Sequence, residues 1–215
     1  MNNSLKIKEM YNKRARVYDI LLGKTRYHYS VRAILESIKL EICSNPNILE
    51  IGCGTGLASE ILIKRFPEAK ITCVDYSESM LYLYKTRFPK TRIIVGDFNK
   101  GDNFHEFESE KKAQLDANSF DLIVSTGAVS EYGDKDKVIP FIYKLLKKES
   151  IFINIGIRKN VMGLVTGRLW RYKPIGKREL IRICRIVGFS KINTARLSWN
   201  HFPSNITKFV LKAVK

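Results

Sequence analysis

The sequence predicts an α/β domain in which a doubly wound, seven-stranded and mostly parallel sheet carries helices on both faces. Between residues 47 and 157, short apolar runs alternate with amphipathic stretches, and this alternation is typical of βαβ units. After Gly188, two further apolar runs near residues 189–198 and 206–215 predict an antiparallel closing hairpin. A chain of 215 residues with 45% hydrophobic content can bury one good core, so we expect a single domain over residues 1–215.

The individual elements follow from hydrophobic periodicity and from helix start and stop signals. Predicted helices cover residues 3–22, 27–43, 55–65, 135–148 and 177–187. The strands before the tail are predicted at residues 47–51, 70–75, 91–98, 119–129 with its exit, and 150–157. Ser77 is expected to cap a further helix after the second strand. Residues 99–118 suggest a surface excursion or short helix, and residues 158–175 a loop or short helix.

The composition argues against several classes of protein. No apolar run approaches the roughly 18 to 20 residues of a membrane span, and the N-terminus lacks the apolar core of a signal peptide. We therefore expect a cytoplasmic protein, with peripheral contact at a membrane left open. The four cysteines form no C-x-x-C pair, so neither a zinc ribbon nor a disulfide framework is predicted. His105 has no partner at ligand spacing, and no metal site is predicted.

The formal net charge of +17 is concentrated toward the C-terminus. Residues 141–215 contain 17 Lys and Arg against two acids, whereas residues 46–140 contain 12 against 15. Such a segment attracts anions, although a solvated lysine-rich surface explains it equally well. Within it, residues 158–185 combine nine basic residues and a single acid, Glu179, with interleaved apolar and aromatic side chains such as Trp170.

Three alternating glycines, Gly52, Gly54 and Gly56, end the first apolar run. Glycines allow a sharp turn and let a ligand approach the main chain, and the following helix points its free N–H groups at that ligand. The dinucleotide pattern G-x-G-x-x-G requires glycine at position 57, where Leu57 stands, which argues against NAD or FAD. The turn therefore predicts a site for another nucleoside-containing cofactor.

Two later strands end in an acid. Asp75 lies 19 residues after Gly56. A helix, a turn and a strand need about this length of chain to return to the end of the first strand. A carboxylate there can accept hydrogen bonds from both hydroxyls of a ribose. Asp75 could instead cap the next helix, but Ser77 is already placed for that role. The third strand is followed by Asp97.

The order of four features resembles the motifs of the class I S-adenosylmethionine-dependent methyltransferases of small-molecule and lipid type. These features are Glu50 before G-x-G-x-G, then Asp75, then Asp97, and then the strand that ends near Ser125. The resemblance covers nearly the whole chain, with its specific motifs at residues 48–129. It implies a Rossmann-like fold and S-adenosylmethionine as cofactor. It also implies three parts: a helical cap at residues 1–45, a cofactor-binding core at 46–157, and a substrate-side segment with the closing hairpin at 158–215.

The resemblance implies roles for the residues at the strand ends. Asp75 would bind the ribose and Asp97 the adenine amino group, while the backbone N–H of Phe98 would serve the adenine ring. Tyr76 and Met80 would flank the adenosine. The implied cofactor-binding residues are Glu50, Gly52, Cys53, Gly54, Thr55, Gly56, Asp75, Tyr76, Met80, Asp97, Phe98 and Ser125.

The catalytic group is left unassigned. Many members of the family carry two histidines shortly after the fourth strand, where this chain has Glu131 and Tyr132, so the proton acceptor stays open. The segment from Tyr11 to Asp19 is similar to an N-terminal helix that covers the cofactor in many small-molecule methyltransferases. The candidates on the acceptor side are Tyr11, Tyr18, Glu131, Tyr132 and Arg158.

A sulfonium methyl group is already activated, so in-line transfer chiefly requires an aligned acceptor and exclusion of water. The basic C-terminal third favours a small anionic or amphipathic acceptor, such as a lipid, with contact to an anionic membrane as an accompanying expectation. An RNA methyltransferase and a non-catalytic nucleoside-binding module are the alternatives. The sequence indicates no stable protein partner.

Overall fold

The computed structural model describes residues 3–24, 26–101 and 103–215. Its strands are β1 (Asn47–Ile51), β2 (Lys70–Asp75), β3 (Arg92–Val95), β4 (His105–Glu106), β5 (Phe120–Ser125), β6 (Leu146–Ile157), β7 (Ser190–Ala195) and β8 (Lys208–Val214). Its α-helices are α1 (Asn3–Lys24), α2 (Tyr27–Ser37), α3 (Leu57–Arg65), α4 (Glu78–Arg87), α5 (Ala128–Tyr132), α6 (Lys135–Leu145), α7 (Val161–Trp170), α8 (Lys177–Val187) and α9 (Ser204–Thr207). Short 3-10 helices lie at Phe98–Lys100 and Trp199–His201.

The strands form one sheet of order β4-β3-β2-β1-β5-β6-β8-β7. The five central strands β3, β2, β1, β5 and β6 run parallel, so their carboxyl ends meet at one edge. The hairpin strand β8 pairs antiparallel with both β6 and β7. This arrangement confirms the predicted mostly parallel sheet with an antiparallel C-terminal hairpin.

The sheet has eight strands where seven were predicted. The extra strand, the two-residue β4, pairs antiparallel with β3 inside the segment predicted as a surface excursion or short helix. The neighbouring Phe104 is buried, because its ring packs on Phe98 and Phe141. The segment is thus held against the sheet edge by strand pairing and by a few buried apolar side chains, of which Phe104 is the largest.

Two predicted helices end earlier than expected. Helix α2 ends at Ser37 instead of residue 43, and Ile38 is already extended. Helix α6 ends at Leu145 and β6 begins at once, because Leu146 pairs with Phe120 of β5. Residues 146–148, which were predicted as the end of a helix, therefore lie inside β6. Residues 161–170 form α7, which confirms the short helix that was one of the two alternatives for residues 158–175.

Helices cover both faces of the sheet because neighbouring residues of a strand point to opposite sides. In β1, Ile48 packs with Val31 and Ile34 of α2 on one face. Leu49 belongs to the cluster on the other face, which contains Ile139 of α6 and the buried side of α8. Burial on both faces explains why the central strands read as continuous apolar runs.

The N-terminal helix α1 lies over the edge at which the parallel strands end. Lys8 forms an ion pair with Glu78 at the start of α4, with 2.6 Å between Nζ and Oε1. Nearby, the Ser77 hydroxyl donates a hydrogen bond to Oδ1 of Asn12 at 2.6 Å. These contacts place one face of α1 over the glycine turn. No described helix is both long enough and apolar enough to span a membrane.

Candidate active site

The three glycines after β1 form a tight turn with positive φ at Gly52, Gly54 and Gly56. A Cβ on Gly52 would overlap the Cβ of Ala128, and a Cβ on Gly56 would overlap the Phe88 ring. A Cβ on Gly54, in contrast, would have no described atom within 4 Å. Gly52 and Gly56 are therefore required by protein packing, whereas the space at Gly54 is open for a ligand.

Asp75 lies beside this turn at the end of β2. Its two carboxylate oxygens accept hydrogen bonds from the backbone N–H groups of Gly54 and Ser77, each at 2.9 Å. Burial raises the pKa of Asp75, and the backbone hydrogen bonds act in the opposite direction. Each carboxylate oxygen has more than one acceptor position, so the group can also bind hydroxyl donors of a ligand.

Glu50 is buried in β1, which lies at the centre of the sheet. Its Oε2 accepts a hydrogen bond from the Ser59 hydroxyl, and that hydroxyl is 2.6 Å from the Tyr84 hydroxyl. Among the described atoms, Oε1 of Glu50 has no hydrogen-bond partner. Burial raises the pKa of Glu50 to about 7.

Two cavities meet at the carboxyl edge of the sheet. The outer cavity, of about 150 Å³, runs from Ile7 past Asp97 and Phe98. The inner cavity, of about 80 Å³, is lined by residues from several separate segments of the chain: Tyr11, Tyr27, Gly54, Met80, Thr126, Gly127 and Glu131. Both cavities are lined by Gly52, Asp75, Tyr76, Ala128 and Tyr132. They form one continuous cleft around the glycine turn.

Aromatic side chains from α1 and α7 close over this cleft. The hydroxyl oxygens of Tyr11 and Tyr132 are 3.0 Å apart, and the Tyr132 hydroxyl donates a hydrogen bond to the Trp170 carbonyl at 2.9 Å. The Trp170 ring stacks on Tyr11 with 5.9 Å between ring centroids, and Arg14 lies over its indole. The cleft is thus shielded from water by contacts between elements that are far apart in the sequence.

A larger hollow of about 760 Å³ lies at the opposite edge, where the parallel strands begin near Asn47, Lys70 and Ser119. Ligands of open α/β sheets bind outside the carboxyl ends of the strands. Its size therefore does not make this hollow the better candidate.

Comparison with known proteins identifies the family. Residues 49–152 match the family described as "Methyltransferase domain". Malonyl-[acyl-carrier protein] O-methyltransferase of Priestia megaterium is 32% identical over 152 residues, which are 68% of this chain and 49% of that protein. Demethylmenaquinone methyltransferase of Leptospira interrogans is 28% identical over 161 residues, which are 71% of this chain and 61% of that protein.

The chain belongs to the class I S-adenosylmethionine-dependent methyltransferases. It spans only about half to three fifths of the length of these two relatives. A solved structure of phosphoethanolamine N-methyltransferase 2 from Haemonchus contortus, in complex with S-adenosyl-L-methionine, matches with a TM-score of 0.70 and 15% identity. That match covers 95% of this chain and 57% of the other, and it shows that the two share a fold.

The cofactor of this methyltransferase is S-adenosylmethionine. The cleft fits such a group, because the open space at Gly54 adjoins the Asp75 carboxylate. Both lie near the N-terminus of α3. Within the described ranges, no cluster of three or more His, Cys, Asp or Glu side chains is placed to hold a metal ion.

Most of the predicted cofactor-binding residues line this cleft. Gly52, Gly54, Asp75, Tyr76, Met80, Asp97 and Phe98 do so. Asp97 also caps the following 3-10 helix, since it accepts a hydrogen bond from the backbone N–H of Asn99 at 3.0 Å.

The other five predicted residues do not line either cavity: Glu50, Cys53, Thr55, Gly56 and Ser125. Cys53 packs beside Cys73, and burial raises the pKa of its thiol. Ser125 accepts a hydrogen bond from the backbone N–H of Val129 at 3.1 Å, so its hydroxyl starts α5. Thr55 is buried and Gly56 packs under Phe88. Thr126, the neighbour of Ser125, lines the inner cavity instead.

The five acceptor-side candidates fall into three groups. Tyr11, Glu131 and Tyr132 line the inner cavity. Arg158 does not line either cavity, because its Nε donates a hydrogen bond to the backbone carbonyl of Lys208 at 2.6 Å. The side chain of Tyr18 lies outside the described part of the chain.

Two residues that we did not predict complete the inner end of the cleft. Tyr27, the first residue of α2, lines the inner cavity, and burial raises its pKa. Lys208, the first residue of β8, lies over the Tyr27 ring at 4.9 Å and near Glu131. Neither residue belongs to a motif. The basic character of the C-terminal third was a signal for Lys208, whereas Tyr27 had none.

Proposed function

We propose that this chain transfers the methyl group of S-adenosylmethionine to a small, amphipathic and anionic acceptor. One observation supports methyl transfer: the glycine turn, Asp75 and Tyr132 all line one covered cleft with two connected cavities. In this proposal the outer cavity binds the adenosine and the inner cavity brings the methyl group to the acceptor.

The cofactor contacts follow from this orientation. Asp75 binds the ribose hydroxyls, while Asp97 and the backbone of Phe98 bind the adenine. Tyr76 and Met80 flank the adenosine, and the backbone from Gly52 to Gly56 approaches the methionine part. Glu50, Cys53, Thr55 and Ser125 support the site from beneath, since their side chains are buried.

The acceptor must be argued from this chain, because the names of its relatives specify two different acceptors. Helix α7 provides the argument. Its buried positions are Gly163 and Gly167, where a Cβ would crowd the carbonyl oxygens of Arg158 and Tyr172. Its large apolar side chains point outward instead: Val161, Met162, Leu164 and Val165 are 51% to 76% exposed.

Basic side chains surround this apolar face. Five basic side chains in and beside α7 are exposed, and none of them forms an ion pair with the described residues. They are Arg158, Lys159, Arg168, Arg171 and Lys173. Exposed apolar side chains among unpaired cations suit an anionic amphipathic partner such as a lipid surface. The C-terminal end of α7 reaches the cleft through Trp170 and Tyr132. We propose that this face guides the acceptor to the inner cavity.

Calorimetry tests the cofactor, and product analysis tests the acceptor. S-adenosylmethionine and its demethylated product should bind, whereas NAD and FAD should not. Incubation of a cell extract with cofactor carrying a labelled methyl group, followed by separation of lipid, small-molecule, protein and RNA fractions, should place the label in a lipid or small acidic molecule. Label in RNA would establish the alternative acceptor. Cofactor binding without label in any fraction would favour a non-catalytic nucleoside-binding module.

A further inference from the structure

The inner cavity ends at a buried pair of opposite charges that lies outside the cofactor-binding motifs. Nζ of Lys208 is 3.6 Å from Oε1 of Glu131, and the two side chains are only 4% and 9% exposed. This separation exceeds the usual length of a hydrogen bond. Within the part of the chain that the structure describes, Oε1 of Glu131 accepts no hydrogen bond. The ammonium therefore stabilises the carboxylate by charge and leaves its lone pairs open.

Glu131 is oriented toward the space in which the reaction would occur. It lines the inner cavity together with Thr126 and Gly127, and Gly54 and Met80 line the same cavity on the cofactor side. A Cβ on Gly127 would lie 3.0 Å from Oε1 of Glu131, so the glycine leaves room for this carboxyl group. An unfilled, buried acceptor atom beside a ligand cavity suits a ligand that donates a hydrogen bond.

The surroundings of Glu131 adjust its acidity toward neutral pH. Burial raises the pKa of Glu131 to about 7, while the Lys208 ammonium acts to lower it. The other titratable groups that face the inner cavity or interact with Glu131 are Tyr11 of α1, Tyr27 of α2, Asp75 of β2, Tyr76 after β2, Tyr132 of α5 and Tyr172 after α7. A base with a pKa near the working pH is well matched to proton transfer.

We propose that Glu131 is the catalytic base of the methyl transfer, and that the acceptor atom therefore carries a proton, as in a hydroxyl group, a phenol or an amine. A carboxylate acceptor has no proton to give up and would place a second negative charge beside Glu131. This inference rests on the proposed methyltransferase function. It specifies the reacting group of the acceptor, while the anionic part of the acceptor belongs to the face of α7.

The chemical step balances with the groups present. A lone pair of the acceptor atom forms a bond to the methyl carbon as the carbon–sulfur bond breaks, and the bonding pair goes to sulfur. The sulfonium becomes a neutral thioether. The proton of the acceptor atom moves to Oε1 of Glu131, which becomes a neutral carboxyl group and returns the proton to water after product release.

Lys208 is a positioning residue in this scheme, since it acts through Glu131. Its main chain is fixed where β8 begins, because its carbonyl oxygen accepts the hydrogen bond from Arg158. Its ammonium group lies 4.9 Å from the centre of the Tyr27 ring, a cation–π contact that helps to hold the ammonium in place. The charge of Lys208 keeps Glu131 ionised and ready to accept a proton.

A matched pair of probes tests the inference without knowledge of the natural acceptor. The probes are 1-naphthol and 1-naphthoate, which share a ring system and differ in whether they donate a proton. Their association constants are measured by calorimetry at pH 8 on protein saturated with S-adenosylhomocysteine. The wild-type protein should prefer naphthol by about tenfold or more, because an ionised carboxylate repels naphthoate. In Glu131→Gln this preference should disappear.

A second measurement uses pH and keeps the test decisive even if Glu131→Gln does not fold. As the pH falls below about 7, protonation of Glu131 should abolish the preference of the wild-type protein. In Lys208→Met the loss of the nearby cation should move the midpoint of this change to higher pH, which a purely structural role of Lys208 would not do. The inference is overturned if naphthoate binds at least as tightly as naphthol, or if the preference does not depend on pH. Absence of S-adenosylhomocysteine binding would instead show that the proposed function is wrong.

Discussion

The carboxylate of Asp75 accepts a hydrogen bond from the backbone N–H of Gly54, with 2.9 Å between that nitrogen and Oδ2. The acid at the end of β2 is thereby joined to the middle of the turn after β1. Oδ1 binds the N–H of Ser77, which starts α4. One buried side chain therefore orients both walls of the cleft, and a ligand that binds to Asp75 must also lie against Gly54.

The first prediction concerns Asp75. Asp75→Ala should weaken the binding of S-adenosylhomocysteine by about 10- to 150-fold, which corresponds to roughly 1.5 to 3 kcal/mol, because the ribose loses its charged acceptor. Asp75→Asn should lose less, since an amide retains the shape and one acceptor oxygen. Calorimetry measures both affinities, and thermal unfolding reports whether the turn survives. Unchanged affinity in a folded Asp75→Ala protein would show that the ribose lies elsewhere.

The second prediction separates the glycines by function. Gly54→Val should nearly abolish cofactor binding, because its side chain would enter open space in the cleft, and the positive φ of this position should also lower the melting temperature. Gly56→Ala, as the matched variant, should mainly lower the melting temperature, because a Cβ there meets the rings of Phe88 and Tyr84. Binding titrations and melting curves of both variants provide the comparison. If Gly54→Val binds normally and only melts earlier, the glycine serves the turn alone.

The third prediction concerns stability and pH. The pKa of Glu50 is about 7 in the folded protein against 4.5 for an ordinary glutamate, so the folded protein holds a proton that the unfolded chain has released between these values. The free energy of unfolding contributed by Glu50 is fully present below pH 4.5 and should fall by an amount on the order of 3 kcal/mol as the pH rises through 7.

Denaturant titrations between pH 4.5 and 8 should show this loss in the wild-type protein and a shallower pH dependence in Glu50→Gln. The exposed Glu68 provides the matched control, since Glu68→Gln changes the same functional group outside the core. Glu131 also has a raised pKa, so some pH dependence should remain in Glu50→Gln. Identical pH dependence in Glu50→Gln and the wild-type protein would contradict the raised pKa of Glu50.

The sequence predicts well the site residues that lie at or directly after the end of one strand. Asp75 and Asp97 could be placed because parallel strands bring their carboxyl ends to one edge, so a residue after one strand lies near a residue after the next. Ser125 shows the limit of that reasoning. Its neighbour Thr126 faces the cavity, whereas the Ser125 hydroxyl accepts a hydrogen bond from the Val129 N–H in α5, and a difference of one residue decides which side chain meets the ligand.

The inner end of the cleft could not be predicted, because it is assembled across long distances in the sequence. Tyr27 and Lys208 meet through the packing of α2 against the start of β8, and no spacing rule connects them. Similarly, composition did not show that the ring of Trp170 is half-buried against Tyr11 and Arg14. Composition indicated the right region of the chain, and only tertiary contacts separate its buried residues from its exposed ones.

The last prediction tests the outward face of α7. The wild-type protein should float with vesicles that contain anionic lipid and not with neutral vesicles, and added salt should weaken this binding because it screens the cations around α7. Replacement of Val161, Leu164 and Val165 by serine should reduce flotation strongly, since these side chains supply the exposed apolar area. Ile186→Ser is the matched control, because Ile186 is 70% exposed on α8, outside this face. An equal loss of flotation in the control and the α7 variant would indicate nonspecific hydrophobic adsorption to the vesicles. Tight RNA binding without vesicle binding would overturn the lipid assignment, and binding to neither would point to a soluble small acid as the acceptor.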